Sequence, residues 1–351
     1  MGLFDKVLSS NESLVKNEAA LDYEFLPKLI PYREKEQHYM VQCIKPLFSR
    51  RSGRNLLIYG PPGIGKSAAI RHVLRDLENE TDEVNAVYIN CWTTNTSYKI
   101  VSEICEILGY RFTQNKKTSE LFKIAIELLN KKPAVLVFDE IDKAEDFDFL
   151  YTLIEGVFHK SIFLLTNYKS WLLELDERIR SRLLAELQEF KEYNEKETKG
   201  ILKERVSYAL VPNSLEEDAF SLIANKTFRI RDIRSGLFLL RESTLLAEEQ
   251  SSKKISSEIV MKAIEKLEEF SIKKMDELDE ESKFINKVVQ KHSGFKIGDL
   301  YEEYKTLGGK SSYKTFQRRL KKLEEGRFVT LTKKTGLGGN TTIVEKKLTD
   351  F

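Results

Sequence analysis

The 351-residue chain is poor in the residues that build covalent or metal-held frameworks. Its three cysteines, Cys43, Cys91 and Cys105, have no paired spacing, and its four histidines, His38, His72, His159 and His292, are scattered. That pattern argues against a disulfide framework and a Cys/His zinc site, and isolated thiols suit a reducing cytosol. No apolar run approaches the roughly 18 residues that span a bilayer. The opening MGLFDK puts Lys6 where a myristoylation signal needs Ser or Thr. The expectation is a cytoplasmic chain with no membrane partner.

An excess of either charge is also small overall, at a net +2, but charge is unevenly placed. Of 57 basic and 55 acidic residues, segment 282–349 holds 16 and 6, a net +10, which leaves −8 for the rest. A basic module of this kind suits a polyanionic partner, with a merely solvated basic face as the alternative. Hydrophobic content of 41% is enough for packed cores, and the length suits two or three domains.

Residues 1–30 lack periodicity, and a helical pattern runs from about Tyr32 to Phe48. Short apolar runs follow at NLLIY (55–59), AVYIN (86–90), AVLVF (134–138) and SIFLL (161–165), with helical stretches between them. Strands alternating with helices predict a three-layer α/β domain ending near Phe190. The pattern from Asn194 to about Ile272 is wholly helical. The charged stretch KKMDELDEES (273–282) then leads into helix, helix, helix and hairpin.

GPPGIGKS (60–67) matches G-x-x-x-x-G-K-[ST] between an apolar strand and the helix-compatible SAAIRHVLRDLE. In this pattern the backbone of Gly60, Pro61, Pro62, Gly63, Ile64 and Gly65 curls its N–H groups around phosphate oxygens. Lys66 reaches the β- and γ-phosphates, Ser67 faces Mg²⁺, and Ser67 and Ala68 open the helix whose dipole adds to the anion site. PAVLVFDEID (133–142) supplies the complement. Asp139 at a strand's end can hold the Mg²⁺ shell, and Glu140 can polarise a water for attack on the γ-phosphate.

These segments resemble those of the AAA+ ATPases, and within them the archaeal origin-recognition and helicase-loader initiators, relatives of the largest subunit of the origin recognition complex. The resemblance runs from FLPKLIPYREKEQHYMVQCIKPLF (25–48) through LLTNYKSWLLELDERIRSRL and YNEKETKGILKERV to the C-terminal module, about 320 residues in all. It implies Asn167 as sensor 1, Arg182 or secondarily Arg178 as the arginine finger, and Arg234 in RIRDIRSGLFLL (229–240) as sensor 2. Arg231 stands where the family usually has Gly. The resemblance also sets Tyr32 and Arg33 near the adenine, and asks residues 91–118 to supply an initiator-specific helix. Lys99, Arg111, Lys116 and Lys117 are its candidate DNA contacts. The implied architecture is an α/β, AAA+ parallel-sheet P-loop ATPase core over 31–190, an all-α lid over 191–272 and a winged-helix DNA-binding domain over 273–351.

In SSYKTFQRRLKKLEEGR (311–327), Phe316, Leu320 and Leu323 form an inward stripe at helical spacing. Lys314, Gln317, Arg318 and Lys321 fall on the opposite face, and Ser311 or Ser312 can cap the helix. RFVTLTKKTGLGGNTTIVEKK (327–347) alternates around a Gly/Asn turn, the mark of a hairpin. A basic helix followed by a basic hairpin is a winged-helix arrangement. The helix enters the major groove, while Lys333, Lys334 and the Gly338–Gly339 tip meet the backbone or minor groove. A protein-facing winged helix is the alternative.

The expected function is an ATP-dependent replication initiator that uses ATP/ADP and Mg²⁺, binds double-stranded origin DNA, self-associates there and recruits the replicative helicase. It would be cytoplasmic and nucleoid-associated, with ATP acting as much by conformation as by hydrolysis. A helicase-loading paralogue without its own origin, or a winged-helix signalling NTPase, are the alternatives.

Overall fold

A computed structural model describes residues 13–276, 278–292, 294–325, 328–336 and 339–346. They fall into two units: one runs to Ser214 and takes in Arg231–Leu240, and the other comprises Leu215–Ile230 and the chain from Arg241 on. Among the described residues no helix is long and apolar enough to cross a membrane.

The first unit is built on a parallel sheet of β1 (Leu56–Tyr59), β2 (Asn85–Asn90), β3 (Ala134–Asp139), β4 (Lys160–Thr166) and β5 (Glu186–Glu189), in the order β2-β3-β4-β1-β5. Its helices are α1 (Glu34–Ile44), α2 (Lys66–Glu80), α3 (Ser97–Ile107), α4 (Thr118–Leu129), α5 (Asp148–Gly156), α6 (Trp171–Glu174), α7 (Glu177–Leu183) and α8 (Glu195–Ala209). Parallel strands covered on both faces need apolar residues at every position. Alternate residues then divide between two cores. Leu57, Leu136, Phe138, Ile162 and Leu164 pack with residues of α3, α4, α5 and α7. Leu56, Ile58, Val135, Val137, Phe163 and Leu165 pack with residues of α1 and α2. All the strands end on the same edge, and the crevice beyond their carboxyl ends is where ligands bind in open α/β sheets.

β5 was not expected, and its residues explain why. In the run Glu-Leu-Gln-Glu, Leu187 is exposed, whereas Gln188 is buried and donates to the Glu36 carbonyl at 3.0 Å. An edge strand held by such contacts has no apolar run to mark it.

The second unit begins with α9 (Glu217–Ile230). α10 (Ile233–Glu249) runs from one unit into the other, and α11 (Ser257–Asp276) follows. The C-terminal module contains α12 (Glu280–Lys291), β6 (Phe295–Lys296), α13 (Ile297–Thr306), α14 (Tyr313–Glu325), β7 (Val329–Gly336) and β8 (Gly339–Lys346). β7 and β8 form the expected antiparallel hairpin, with Gly336 opposite Gly339, and the two-residue β6 adds a third strand beside β8. Leu337 and Gly338 lie outside the described residues. Phe316, Leu320 and Leu323 are fully buried with Ile285, Leu300, Tyr304 and Val344, as the helical spacing predicts. This is the helix and strand order of a winged helix.

Candidate functional site

The phosphate loop joins β1 to α2, and three of its glycines take positive φ: +150° at Gly60, +77° at Gly63 and +86° at Gly65. At Gly63 space forbids a side chain as well, since a Cβ would lie 1.9 Å from Asp232 Oδ1. Asp232 is buried just before α10, and the next residue, Ile233, donates its N–H to the Gly63 carbonyl at 3.2 Å. The Asp232 carboxylate takes a two-pronged contact from Arg234, with Nε to Oδ1 and Nη2 to Oδ2 both 3.1 Å. Arg234 is thereby oriented at the cavity rim. Arg231, one residue before Asp232, has φ +59° and donates to Glu192 at 2.8 Å. That left-handed conformation is the physical reason glycine suits the position.

Lys66 is buried and donates to the Gly60 carbonyl at 2.7 Å, the Pro61 carbonyl at 2.9 Å and Asn167 Oδ1 at 2.9 Å. Burial lowers its ammonium to about 8; Arg234 adds to the effect, and Asp139, Glu140 and Asp142 oppose it. Asn167 is in place because β4 ends one residue earlier. There Thr166 Oγ1 donates to Asp142 Oδ1 at 3.0 Å, tying this strand end to the segment after β3.

Asp139 is buried at the end of β3, with Tyr88 Oη donating to Oδ2 at 2.6 Å and the Glu140 N–H to Oδ1 at 2.8 Å. Burial, followed by the charges of Asp139 and Asp142, holds the Glu140 carboxyl above its usual range. Glu140 also has φ +52°. A non-glycine residue in that region costs on the order of 1 kcal/mol, and such strain gathers at functional sites.

These groups share one cavity of about 280 Å³. It is lined by Gly63, Gly65, Lys66, Ser67 and Ala68 of the loop and α2, by Tyr88, Asn90, Asp139, Glu140 and Asn167 at the strand ends, and by Ile233, Arg234 and Leu237. Residues 23–27, 30 and 31 close the other side with Ile201, Glu204 and Arg205 of α8. Arg205 is buried, donates to the Phe25 carbonyl at 3.0 Å and lies over the Phe25 ring, which fixes that wall. The arrangement offers an apolar pocket beside a cationic cradle for a phosphate chain. Ser67 and Asp139 in the same cavity suit Mg²⁺, which needs few protein ligands when phosphates supply the others.

Tyr32 and Arg33 do not line this cavity, although Ile30 and Pro31 just before them do. Tyr32 reaches Gly200 on α8, where a Cβ would lie 2.1 Å from its hydroxyl. The Arg33 guanidinium is buried under the loop. It donates to the Ile64 carbonyl at 3.1 and 3.3 Å, the Lys191 carbonyl at 2.6 Å and Tyr193 Oη at 3.1 Å, with its charge 4.0 Å from the Tyr193 ring centre. Its neighbours are the carbonyls and rings that a packed guanidinium needs.

Arg182 and Arg178 also lie away from the cavity. Arg182 pairs with Glu155 at 2.5 Å and Arg178 with Asp176 at 3.1 Å, both on exposed parts of α7. Of residues 91–118, those from Ser97 to Ile107 form α3, between β2 and β3 and capped by Thr96. Lys99 beside it bonds Asn95, while Arg111 and Lys117 are exposed and Lys116 is half-buried.

On α14, Lys314, Gln317, Arg318 and Lys321 are all exposed, and Ser312 rather than Ser311 caps the helix. Arg319 turns away to Asp279 and Ser282. Lys333 and Lys334 lie on β7 and Gly339 begins β8. Tyr88, Asp232 and Arg205 were missed by sequence reasoning. Tyr88 alone carried a signal, because period 2 puts it on the same strand face as Asn90.

Residues 49–165 match the family model of an AAA domain, and residues 199–265 match that of a Cdc6 AAA+ ATPase-type lid domain. The chain is 30% identical over 339 residues to the ORC1-type DNA replication protein 1 of Sulfurisphaera tokodaii, covering 90% of this chain and 85% of that one. It is 27% identical to the ORC1-type DNA replication protein 2 of Methanosarcina acetivorans, covering 97% and 95%. Its fold matches the Aeropyrum pernix ORC1 protein solved in complex with DNA, with a TM-score of 0.69, 25% identity and coverage of 96% and 94%. The Aeropyrum pernix ORC2 protein, solved in ADPNP–ADP complexes, matches in fold with a TM-score of 0.73 at 18% identity. With the relatives covered along nearly their whole length, and a Cdc6-type lid beside the phosphate loop, this chain belongs to the archaeal Orc1/Cdc6 family of replication proteins.

Proposed function

We propose that this chain is an ATP-dependent DNA replication initiator that binds duplex origin DNA and helps recruit or load the replicative helicase. The observation that carries the reading is one cavity holding Lys66, Asp139, Glu140, Asn167 and Arg234 in a chain whose α14 exposes Lys314, Gln317, Arg318 and Lys321. Mg²⁺, held by Ser67 and Asp139, would neutralise charge on the β- and γ-phosphates. The loop N–H groups and Lys66 bind and orient the phosphate chain. Glu140 and Asn167 place a water, and Glu140 takes its proton. Arg234 is fixed by Asp232 where it can sense a γ-phosphate, so ATP acts as a conformational ligand as well as a substrate. Genomic footprinting tests the function: one intergenic site supports it, and uniform coverage or scattered promoters count against it. Recruitment is read by adding purified replicative helicase to that site.

Phosphate contacts add affinity without sequence information, whereas base contacts add discrimination. Replacing both Lys333 and Lys334 by Ala should weaken binding to every duplex and lower the salt slope by about two. Arg318→Ala should cost about 1–3 kcal/mol at the preferred site and less elsewhere. Affinity against salt for specific and random duplexes checks both, and an unchanged slope in the double variant would turn the hairpin toward a protein partner.

We assign Arg182, and after it Arg178, to the nucleotide of a neighbouring copy, because neither reaches this chain's own cavity. Mixing Arg182→Ala with Lys66→Ala subunits should restore part of the ATPase activity, whereas Arg234→Ala with Lys66→Ala should not. No rescue in an assembled first mixture would place the finger elsewhere.

A further inference from the structure

We propose that Tyr88 is a positioning residue for Asp139, holding the carboxylate in the orientation in which it meets a Mg²⁺-bound nucleotide. The inference rests on the nucleotide reading above and adds a residue to it. β2 and β3 pair with Asn90 opposite Asp139 and Tyr88 opposite Val137. Side chains alternate along each strand, so Tyr88, Asn90 and Asp139 share one face of the sheet, with Tyr88 roughly 7 Å further back along its strand.

Asn90, directly opposite, is already engaged, its Oδ1 accepting the Trp92 N–H at 2.8 Å. The side-chain hydroxyl that reaches Asp139 is that of the more distant Tyr88, whose long side chain spans the gap. The Tyr88 hydroxyl donates to Oδ2 at 2.6 Å while the Glu140 N–H donates to Oδ1 at 2.8 Å. With one protein donor on each oxygen, the plane of the carboxylate is fixed, and each oxygen keeps a lone pair for a further partner. Tyr88 lines that same cavity alongside Lys66 and Ser67.

A metal ligand held from behind loses less freedom when the metal arrives. Groups of this kind typically carry about 10–100-fold of metal affinity. In Tyr88→Phe the ring stays and only the hydroxyl goes, so the Asp139 carboxylate must be ordered by the metal itself.

The test titrates a fluorescent ADP analogue into the full chain, first in EDTA and then at rising Mg²⁺. Tyr88→Phe should bind the analogue in EDTA within about twofold of wild type, since the phosphate loop is untouched. Its half-saturating Mg²⁺ should rise by about tenfold. Tyr39→Phe serves as the control: Tyr39 donates to Glu186 and lies outside the cavity, so its loss removes a like bond and should leave the Mg²⁺ profile unchanged. An unchanged Mg²⁺ profile in Tyr88→Phe overturns the inference alone. An equal loss of affinity with and without Mg²⁺ also overturns it, by making Tyr88 a purely structural residue. Wild-type protein that binds no analogue under either condition would remove the nucleotide reading, and this inference with it.

Discussion

Glu140→Gln is expected to keep nucleotide bound and to lower its turnover by about 10²–10⁴-fold, the usual contribution of a positioned general base. The amide copies the carboxylate's shape, so the backbone at φ +52° and the Glu140 N–H bond to Asp139 should survive. What is lost is an acceptor for a proton, at a carboxyl whose burial beside Asp139 and Asp142 already raises it toward a useful basicity. Asp139 and Ser67 remain, so binding measured with a fluorescent nucleotide should match wild type. Phosphate release within twofold of wild type would show that another group takes the proton. Loss of binding along with turnover would show instead that Glu140 holds the site together.

Arg33→Ala should destabilise the nucleotide-binding unit by about 3–5 kcal/mol, because truncating a buried charge strands the partners it satisfied. Two carbonyls, Ile64 and Lys191, lose their donor, and the Tyr193 ring loses the cation stacked 4.0 Å from its centre. The loss bears on function, since Ile64 belongs to the phosphate loop. Arg33→Lys should recover little of it, as an ammonium cannot reach both carbonyls with a planar fork. Trp171 is buried in the core of this unit and reports its unfolding by fluorescence in urea. A loss below about 1 kcal/mol in Arg33→Ala would mean that water replaces the guanidinium, and that the loop does not depend on it.

Arg33 also shows where sequence reading stops. Its place in the chain resembles that of a base contact, but it does not say which groups hold the guanidinium. Its role depends on Ile64, Tyr193 and Lys191, which stand 31, 160 and 158 positions away. No local pattern contains that information. β5 is a similar case: its two buried contacts are a carbonyl on α1 and the flank of β1, neither of which leaves an apolar signature in Glu-Leu-Gln-Glu.

By itself the sequence determined what depends on residues close together in the chain. Four apolar runs became β1 to β4, since a strand covered on both faces needs only to be apolar throughout. The phosphate loop, the Asp139–Glu140 pair and the 316, 320, 323 stripe were readable for the same reason: their chemistry lies in spacing of a few residues. The tertiary structure decided what depends on contacts between distant segments. It set Asp232 against Gly63, so that Arg234 faces the cavity, and it put the Tyr88 hydroxyl on Asp139. It also turned Arg319 to Asp279 while leaving Arg318 exposed. Each is a hydrogen bond or steric contact whose partner is chosen by the packing of whole elements. Such partners become neighbours only when the sheet and helices are assembled.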